Sequence, residues 1–354
     1  MAGFHCRAAG PSGKVPCLNL MFNVTLSNGV VFEVSPSVSL LDGALAKGII
    51  LEHSCRTGRC GSCKALALHG SAEPLRAPVS LTDDEAARGW VLTCTHAARS
   101  DMTLDIADLG ALADVPSRLF PARIAALDRL ADDVLCVRLR LPPRAPLRFL
   151  AGQSVDVIGP SGARRSYSIA SPATAGHQIE LQIRRVDGGV LSAWWFEHAK
   201  VDDLLRFHGP RGTFFLRPVA GRDLVFLATG TGIAPILAML AQVAGLPRSE
   251  RPRSVSLYWG GRRRDDHYLD PTSPLAGVRH VPVVSRDDAS WKGARGHVQD
   301  VLLHEAAQGV APSLAGASVY ACGSQAMIDG ARALLADAGL PAGQFHFDAF
   351  VRSD

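Results

Sequence analysis

The 354-residue chain reads as a multi-domain protein of β and α/β character: a small open sheet crossed by a helix, then an antiparallel barrel, then a parallel sheet wrapped by helices. Three observations lead there. The length exceeds one ordinary core and suits two or three domains. Short strand-like runs separated by Gly and Pro turns fill most of the first two thirds. In the last third, apolar β-rich runs alternate with helix-like stretches, the pattern of a parallel sheet.

Residues 1–18 carry Gly, Pro, Ser and two basic side chains without periodicity, and a disordered leader is expected there, with Met21 as an alternative natural start. Residues 19–112 form the first unit. "LMFNVTL" and "VVFEVS" are strand-like and are joined by Ser27-Asn28-Gly29, a hairpin signal. "SLLDGALAKG" has helical spacing and ends at Gly48, and Thr82 followed by Glu85 is a capping box that starts a second helix. Residues 113–118, "ADVPSR", read as a linker, residues 119–218 as the barrel, and residues 219–354 as the parallel-sheet domain. In the last, "DLVFLATG", "SVSLYWG", "VRHVPVVS" and "SVYACG" are the strands, and "APILAMLAQVAG" and "QAMIDGARALLADAG" are helices.

Cys55, Cys60, Cys63 and Cys94 carry the chemistry of the first unit. Their order, C-x4-C-x2-C followed at a distance by a last Cys, is the plant-type spacing for a 2Fe-2S cluster, in which each iron takes two thiolates. Gly58 and Gly61 stand between the ligands, where a missing Cβ lets backbone N–H groups approach sulfur. A structural zinc site and four unrelated buried thiols are the alternatives; zinc usually uses two short C-x2-4-C hooks, whereas Cys94 stands alone. Cys6 and Cys17 read as incidental, and Cys136, in "VLCVRLRL", as a core thiol of a strand.

The net charge of +4, without a basic stripe interleaved with aromatics, argues against nucleic acid. No run approaches the eighteen apolar residues of a membrane helix, and no continuous apolar segment opens the chain. A cytoplasmic protein with reduced cysteines is expected.

Three strings mark nucleotide chemistry. In "RRSYSIAS", strand geometry places Arg165 and Tyr167 on one face and Ser168 on the other. "RRVDGGVLS" supplies Gly188, Gly189 and Ser192 ahead of "SAWWFEH", where small residues let backbone N–H groups cradle a pyrophosphate at a helix start. "ATGTGIAP" puts Gly230, Thr231 and Gly232 after an apolar strand, with Pro235 opening a helix; this first strand-to-helix turn of a parallel sheet is where dinucleotides bind. An ordinary polar strand and ordinary Gly turns are the competing readings of each string alone. "YACGSQAMI" places Cys322, Gly323 and Ser324 at the end of a strand and "FHFDAF" holds Asp348 and Phe350; by themselves a buried strand cysteine and a packing phenylalanine are nearly as natural a reading as a site. Arg262, Arg263 and Arg264 suit a ribose 2′-phosphate, Asp265 and Asp266 a free 2′-hydroxyl, and the run also suits a solvated loop.

The first unit resembles the plant-type ferredoxin (β-grasp) fold, and the rest resembles the ferredoxin-reductase superfamily: an antiparallel β-barrel flavin domain and a parallel-sheet α/β nicotinamide-nucleotide domain. From residue 19 onward, "RRSYSIAS", "GPRGTFFLR", "YWGG", "PVVSRDDASWKGARGHV", "VYACGSQAMI" and "FDAFV" are most similar to the CDP-6-deoxy-Δ3,4-glucoseen reductase family. The leader and the Arg262–Arg264 run depart from its pattern. The resemblance implies that a 2Fe-2S cluster, FAD and NADH are the cofactors, with NADPH as the alternative. It implies that Arg165 pairs with a flavin phosphate, Tyr167 packs on the flavin and Ser168 lies near its N5. It also places Cys322 beside the hydride-donating nicotinamide carbon, and Asp348 and Phe350 at the acidic and aromatic positions next to the flavin. The implied partner is an electron-accepting protein, a pyridoxamine-phosphate iron–sulfur dehydrase of 3,6-dideoxyhexose synthesis. Reductases of aromatic-ring dioxygenases and of phenol or methane monooxygenases share the architecture, so an oxygenase partner is the alternative. A redox-sensing ferredoxin-like module without turnover is the third.

Overall fold

The structure is a computed structural model that describes residues 20–112, 115–173, 177–286 and 290–351. The expected disordered leader and positions 113 and 114 of the expected linker lie outside the described residues.

The first domain starts with a hairpin, β1 (Phe22–Leu26) and β2 (Val31–Val34), whose turn closes through Leu26 N–H to Val30 O at 2.8 Å, with Gly29 at φ +81°. Helix α1 (Leu40–Ala46) begins at Ser39, whose hydroxyl accepts from Asp42 N–H. It lies so close to the sheet that a Cβ on Gly43 would stand 2.4 Å from Val34 Cγ2. The chain continues through β3 (Lys64–His69), β4 (Ala72–Pro74), α2 (Asp83–Ala87), β5 (Trp90–Leu92), β6 (His96–Ala98) and β7 (Met102–Asp105). The main sheet has the order β2-β1-β7-β3-β5, with β1 and β7 parallel, and β4 pairs with β6. Helix α2 carries the full Thr82–Glu85 capping box.

The second domain is antiparallel: β8 (Arg118–Ala131), β9 (Val134–Arg140), β10 (Ser154–Ile158), β11 (Arg164–Ser168), β12 (Gln178–Arg184) and β13 (Leu204–Arg211), with α3 (Val190–Glu197) between the last two. Its order is β11-β10-β13-β8-β9-β12, and a bridge between Ile169 and Leu181 joins the two edges into a barrel. Inward residues such as Ile124, Val137, Leu139, Val155 and Phe207 fill it. The expected linker is shorter than its sequence suggests, because Arg118 already belongs to β8.

The third domain is a parallel sheet of β14 (Asp223–Thr229), β15 (Ser254–Gly261), β16 (Arg279–Val284), β17 (Ala294–Arg295), β18 (Ala317–Ser324) and β19 (Phe345–Phe350). It is covered by α4 (Ile233–Gly245), α5 (Val298–Ala307) and α6 (Gln325–Asp337). Buried runs such as Leu224–Ala228 have apolar side chains on both faces, as a doubly covered sheet requires. The order β17-β16-β15-β14-β18-β19 reverses between β14 and β18, and a crevice opens at their carboxyl ends. Pro235 does not open α4: a tight turn over Gly230–Gly232 leads into a helix that begins at Ile233. Among the described residues no helix is long and apolar enough to cross a membrane.

Candidate functional site

The loop after α1 places four thiols as two pairs. Cys63 Sγ lies 3.2 Å from Cys94 Sγ, and Cys55 accepts a hydrogen bond from Cys60. Within each pair the accepting thiol, Cys55 or Cys94, is lowered and its donor is raised, in both cases chiefly by the hydrogen bond between them. Thr57 N–H points at Cys55 Sγ at 3.4 Å, and backbone N–H groups of Arg59 and Gly58 bond Cys55 and Cys94. Arg56, Gly58 and Gly61 have φ of +58°, +76° and +75°. At Gly58 a Cβ would also stand 2.8 Å from Thr95 Cγ2, so the loop's wrap depends on glycine there. Among the described residues no three His, Cys, Asp or Glu side chains converge on one metal ion. Two thiol pairs with N–H groups turned toward sulfur instead fit a two-iron cluster, two ligands to each iron.

A cavity of about 670 Å³ lies where the three domains meet. The cluster loop contributes Cys55, the barrel contributes Arg165 and Ser168, and the terminal strand contributes Asp348 and Phe350. Alternation on β11 sends Ser166 and Ser168 to this cavity and Tyr167 the other way, where its ring packs on the barrel core and burial raises its hydroxyl to about 12; Arg165, on Tyr167's side of the strand, nevertheless lines the cavity, so the expected division of faces does not hold for it. Ser54 Oγ donates to Asp348 Oδ1 at 2.6 Å. Burial nevertheless pushes the Asp348 carboxyl up to about 6, against the lowering effect of that bond.

A second cavity, of about 970 Å³, fills the crevice at the strand-order reversal. Thr229, Gly230, Thr231 and Ser324 line it, and Phe350 borders both cavities. Gly232 is buried behind this surface: a Cβ there would meet Cys322 O at 2.1 Å, so this glycine serves packing against β18. Arg184, which the sequence did not single out, reaches in from the barrel. It pairs with Asp266 at 3.3 Å and Asp133 at 3.5 Å, and its guanidinium covers Gly230. Its Nε faces Asp133 across that ion pair, and its Nη2 is buried without a hydrogen-bond partner among the described residues. Nothing in "LQIRRV" marks that reach, because it depends on how the domains dock. Asp266 also accepts from the N–H groups of Arg262 and Arg263 at 2.7 and 3.0 Å, so its carboxylate is already engaged, while Arg262 and Arg286 line the cavity.

Several expected positions lie elsewhere. Cys322 lines neither cavity; its side chain is fully buried in the core beside β14 and α4, and burial raises the thiol well above its usual range. Here the reading as a buried strand cysteine describes the structure. The Ser192 hydroxyl turns inward, shared between Val186 O and Gly189 O, and so closes the turn whose backbone N–H groups are expected at a pyrophosphate. Gly189 leaves room for that contact, since a Cβ would lie 2.5 Å from Ser192 Oγ, and Gly188 supplies a left-handed turn at φ +72°. Pro235 is buried within α4.

Comparison with known families agrees with this division. The 2Fe-2S iron-sulfur cluster binding domain matches residues 24–99, the Oxidoreductase FAD-binding domain residues 121–216 and the Oxidoreductase NAD-binding domain residues 226–333. CDP-6-deoxy-L-threo-D-glycero-4-hexulose-3-dehydrase reductase of Yersinia pestis is 38% identical over 94% of this chain and 100% of its own length. Reductase component 2 of terephthalate 1,2-dioxygenase from Comamonas sp. is 31% identical over 91% of this chain and 95% of its own. The crystal structure of Amycolatopsis cytochrome P450 reductase GcoB superposes with a TM-score of 0.68 at 29% identity, covering 93% of this chain and 98% of that one. The resident groups are therefore a 2Fe-2S cluster, FAD and a nicotinamide dinucleotide, and the protein is an NAD(P)H-dependent electron-transfer reductase serving an electron-accepting partner. With full-length likeness and all three domains in order, the chain belongs to the family of iron–sulfur flavoprotein reductases that includes the hexulose-3-dehydrase reductases.

Proposed function

We propose that this chain is the reductase of a CDP-6-deoxyhexulose 3-dehydrase, passing electrons from NAD(P)H to that pyridoxamine-phosphate iron–sulfur enzyme in 3,6-dideoxyhexose synthesis. The likeness to the Yersinia pestis reductase over that protein's whole length carries the reading. The likeness to the Comamonas component keeps an oxygenase as the second acceptor. When bound, FAD and the cluster supply conversion of a two-electron donor into one-electron deliveries: NAD(P)H and two oxidised acceptors give NAD(P)⁺, a proton and two reduced acceptors.

The chain's own residues hold and separate these groups. Cys55 with Cys60, and Cys63 with Cys94, ligate the two irons. Arg165 and Ser168 bind the flavin from β11, and Asp348 and Phe350 close the same cavity from β19. Gly230, Thr231 and Ser324 receive the nucleotide, with Arg184 as a further cation at that surface. NADH is assigned from the family resemblance, and Arg262 and Arg286, which line the cavity and suit a 2′-phosphate, make NADPH the alternative. Cys322 is assigned to the core.

Reconstitution with a purified CDP-6-deoxyhexulose 3-dehydrase and its sugar nucleotide tests the acceptor: NADH-dependent formation of the deoxygenated sugar supports it. Reduction of an oxygenase with no transfer to the dehydrase would overturn it. Cys60→Ser is expected to abolish cytochrome c reduction while NADH still reduces the flavin; unchanged cytochrome c reduction would show that electrons bypass the cluster.

A further inference from the structure

The three residues before the first cluster ligand each bond a different part of the other two domains. Glu52 Oε1 accepts from Arg217 Nη2 at 3.0 Å. His53 and Thr213 form a reciprocal pair: His53 N–H donates to Thr213 Oγ1 at 2.8 Å, and that hydroxyl donates to His53 O at 2.8 Å. Thr213 N–H adds a third bond to His53 O at 3.2 Å. Ser54 Oγ reaches Asp348 on the terminal strand.

The receiving groups are themselves held. Thr213 is buried. The Arg217 guanidinium lies 3.6 Å from the centre of the Phe215 ring and donates to Thr213 O, and the Arg217 N–H bonds the Tyr320 hydroxyl at 2.9 Å. Beyond the three residues, Cys55 and Cys60 belong to the apolar cluster that contains Ala349 and Val351. Domains move relative to one another by default unless their joint also buries apolar surface, and this joint adds the packing of Cys55 and Cys60 with Ala349 and Val351 to its hydrogen bonds. Here the joint coincides with the cluster loop and is bonded at three consecutive residues.

We propose that Glu52, His53 and Ser54 are a docking clamp, gripped by Arg217, Thr213 and Asp348, that fixes the cluster loop over the junction cavity. The cluster is thereby a stationary relay, and the acceptor comes to this chain instead of the ferredoxin domain swinging out to meet it. The proposal rests on the electron-transfer reading above. Each hydride brings two electrons, which cross this joint one at a time to two one-electron acceptors while the proton passes to solvent. A fixed separation of donor and acceptor is what the clamp contributes.

The test uses Thr213→Val and Glu52→Gln in the full holoenzyme, with Thr213→Ser as the conservative control. Hydrogen exchange should show the 50–55 segment losing protection in Thr213→Val while the β1–β2 hairpin stays protected, and Thr213→Ser should restore it. In stopped flow, flavin reduction by NADH should keep its rate while cluster reduction slows by about tenfold, as misplaced reaction partners do. Wild-type exchange already as fast at 50–55 as at exposed loops would overturn the clamp, as would cluster reduction at the wild-type rate in both variants. Faster cytochrome c reduction in the loosened variants would overturn the stationary relay. Failure of NADH to reduce the wild-type flavin would instead refute the reductase reading, and the exchange measurement would still judge the clamp.

Discussion

The imidazole of His346 on β19 lies over Tyr320, with ring centroids 4.8 Å apart. Burial, aided by the positive charges of Arg217 and Arg222, lowers its pKa to about 4 from the ordinary 6.5. An unfolded chain takes up a proton at this residue below pH 6.5, but the folded chain resists until about 4. The contribution is therefore whole above pH 6.5 and is lost as pH falls toward 4, amounting to about 3 kcal/mol at most. His346→Gln should flatten the fall in melting temperature between pH 6.5 and 4 relative to wild type; parallel curves would show that His346 does not titrate this way. Nothing in "FHFDAF" signals the effect, since it arises first from burial in the assembled core and then from Arg217 and Arg222, more than a hundred positions away. The cluster cysteines are the opposite case. Their ligand chemistry fixes their spacing on one loop, so it is written locally. At Ser192 the sequence shows a small residue behind two glycines, and that its hydroxyl folds back onto the carbonyls of Val186 and Gly189 is set by the turn.

Two glycines in the turn after β14 separate two reasons for the same residue. Gly230 has φ +54°, and a Cβ there would make only ordinary contacts with the Arg184 guanidinium at 3.7 to 3.9 Å. Gly232 lies outside the left-handed region, yet its Cβ would stand 2.1 Å from Cys322 O, with no flexible side chain to give way. Gly230→Ala should therefore fold with a loss of about 1 kcal/mol from backbone strain. Gly232→Ala should push the turn off β18 and destabilise the whole nucleotide domain. Thermal unfolding of the two variants checks the order; Gly232→Ala as stable as Gly230→Ala would show that the turn can shift at little cost. The sequence placed this turn and its strand correctly because apolar β-rich runs and a following helix are local patterns. What it does not show is that Gly232 packs against β18, because that closeness depends on sheet order, which a single strand does not reveal.

Both cavities are made between domains, which is why their walls were only half legible. The motifs on β11, on the turn after β14 and on β19 each carry residues that the structure brings together. Of the members contributed by docking, Ser54 occupies no motif, and Arg184 opens "RRVDGGVLS" without anything in that string marking its reach into the neighbouring domain. Nucleotide choice shows the consequence. In isolation the run from Arg262 to Asp266 presents cations and acids side by side, and neither wins. In the assembled molecule Asp266 is bound by two backbone N–H groups and by Arg184 from the barrel, which leaves Arg262 and Arg286 as cations lining the cavity that no carboxylate among the described residues engages. A 2′-phosphate gains charge-assisted hydrogen bonds from such a wall and a 2′-hydroxyl gains little. Arg286→Ala should then lower kcat/KM for NADPH by about tenfold, the size of one lost bond to a charged group, and leave kcat/KM for NADH nearly unchanged. Steady-state rates with ferricyanide as acceptor measure both without involving the cluster. An equal loss with the two nucleotides would place Arg286 on a part of the dinucleotide they share, and an unchanged ratio would remove this wall from the choice between them.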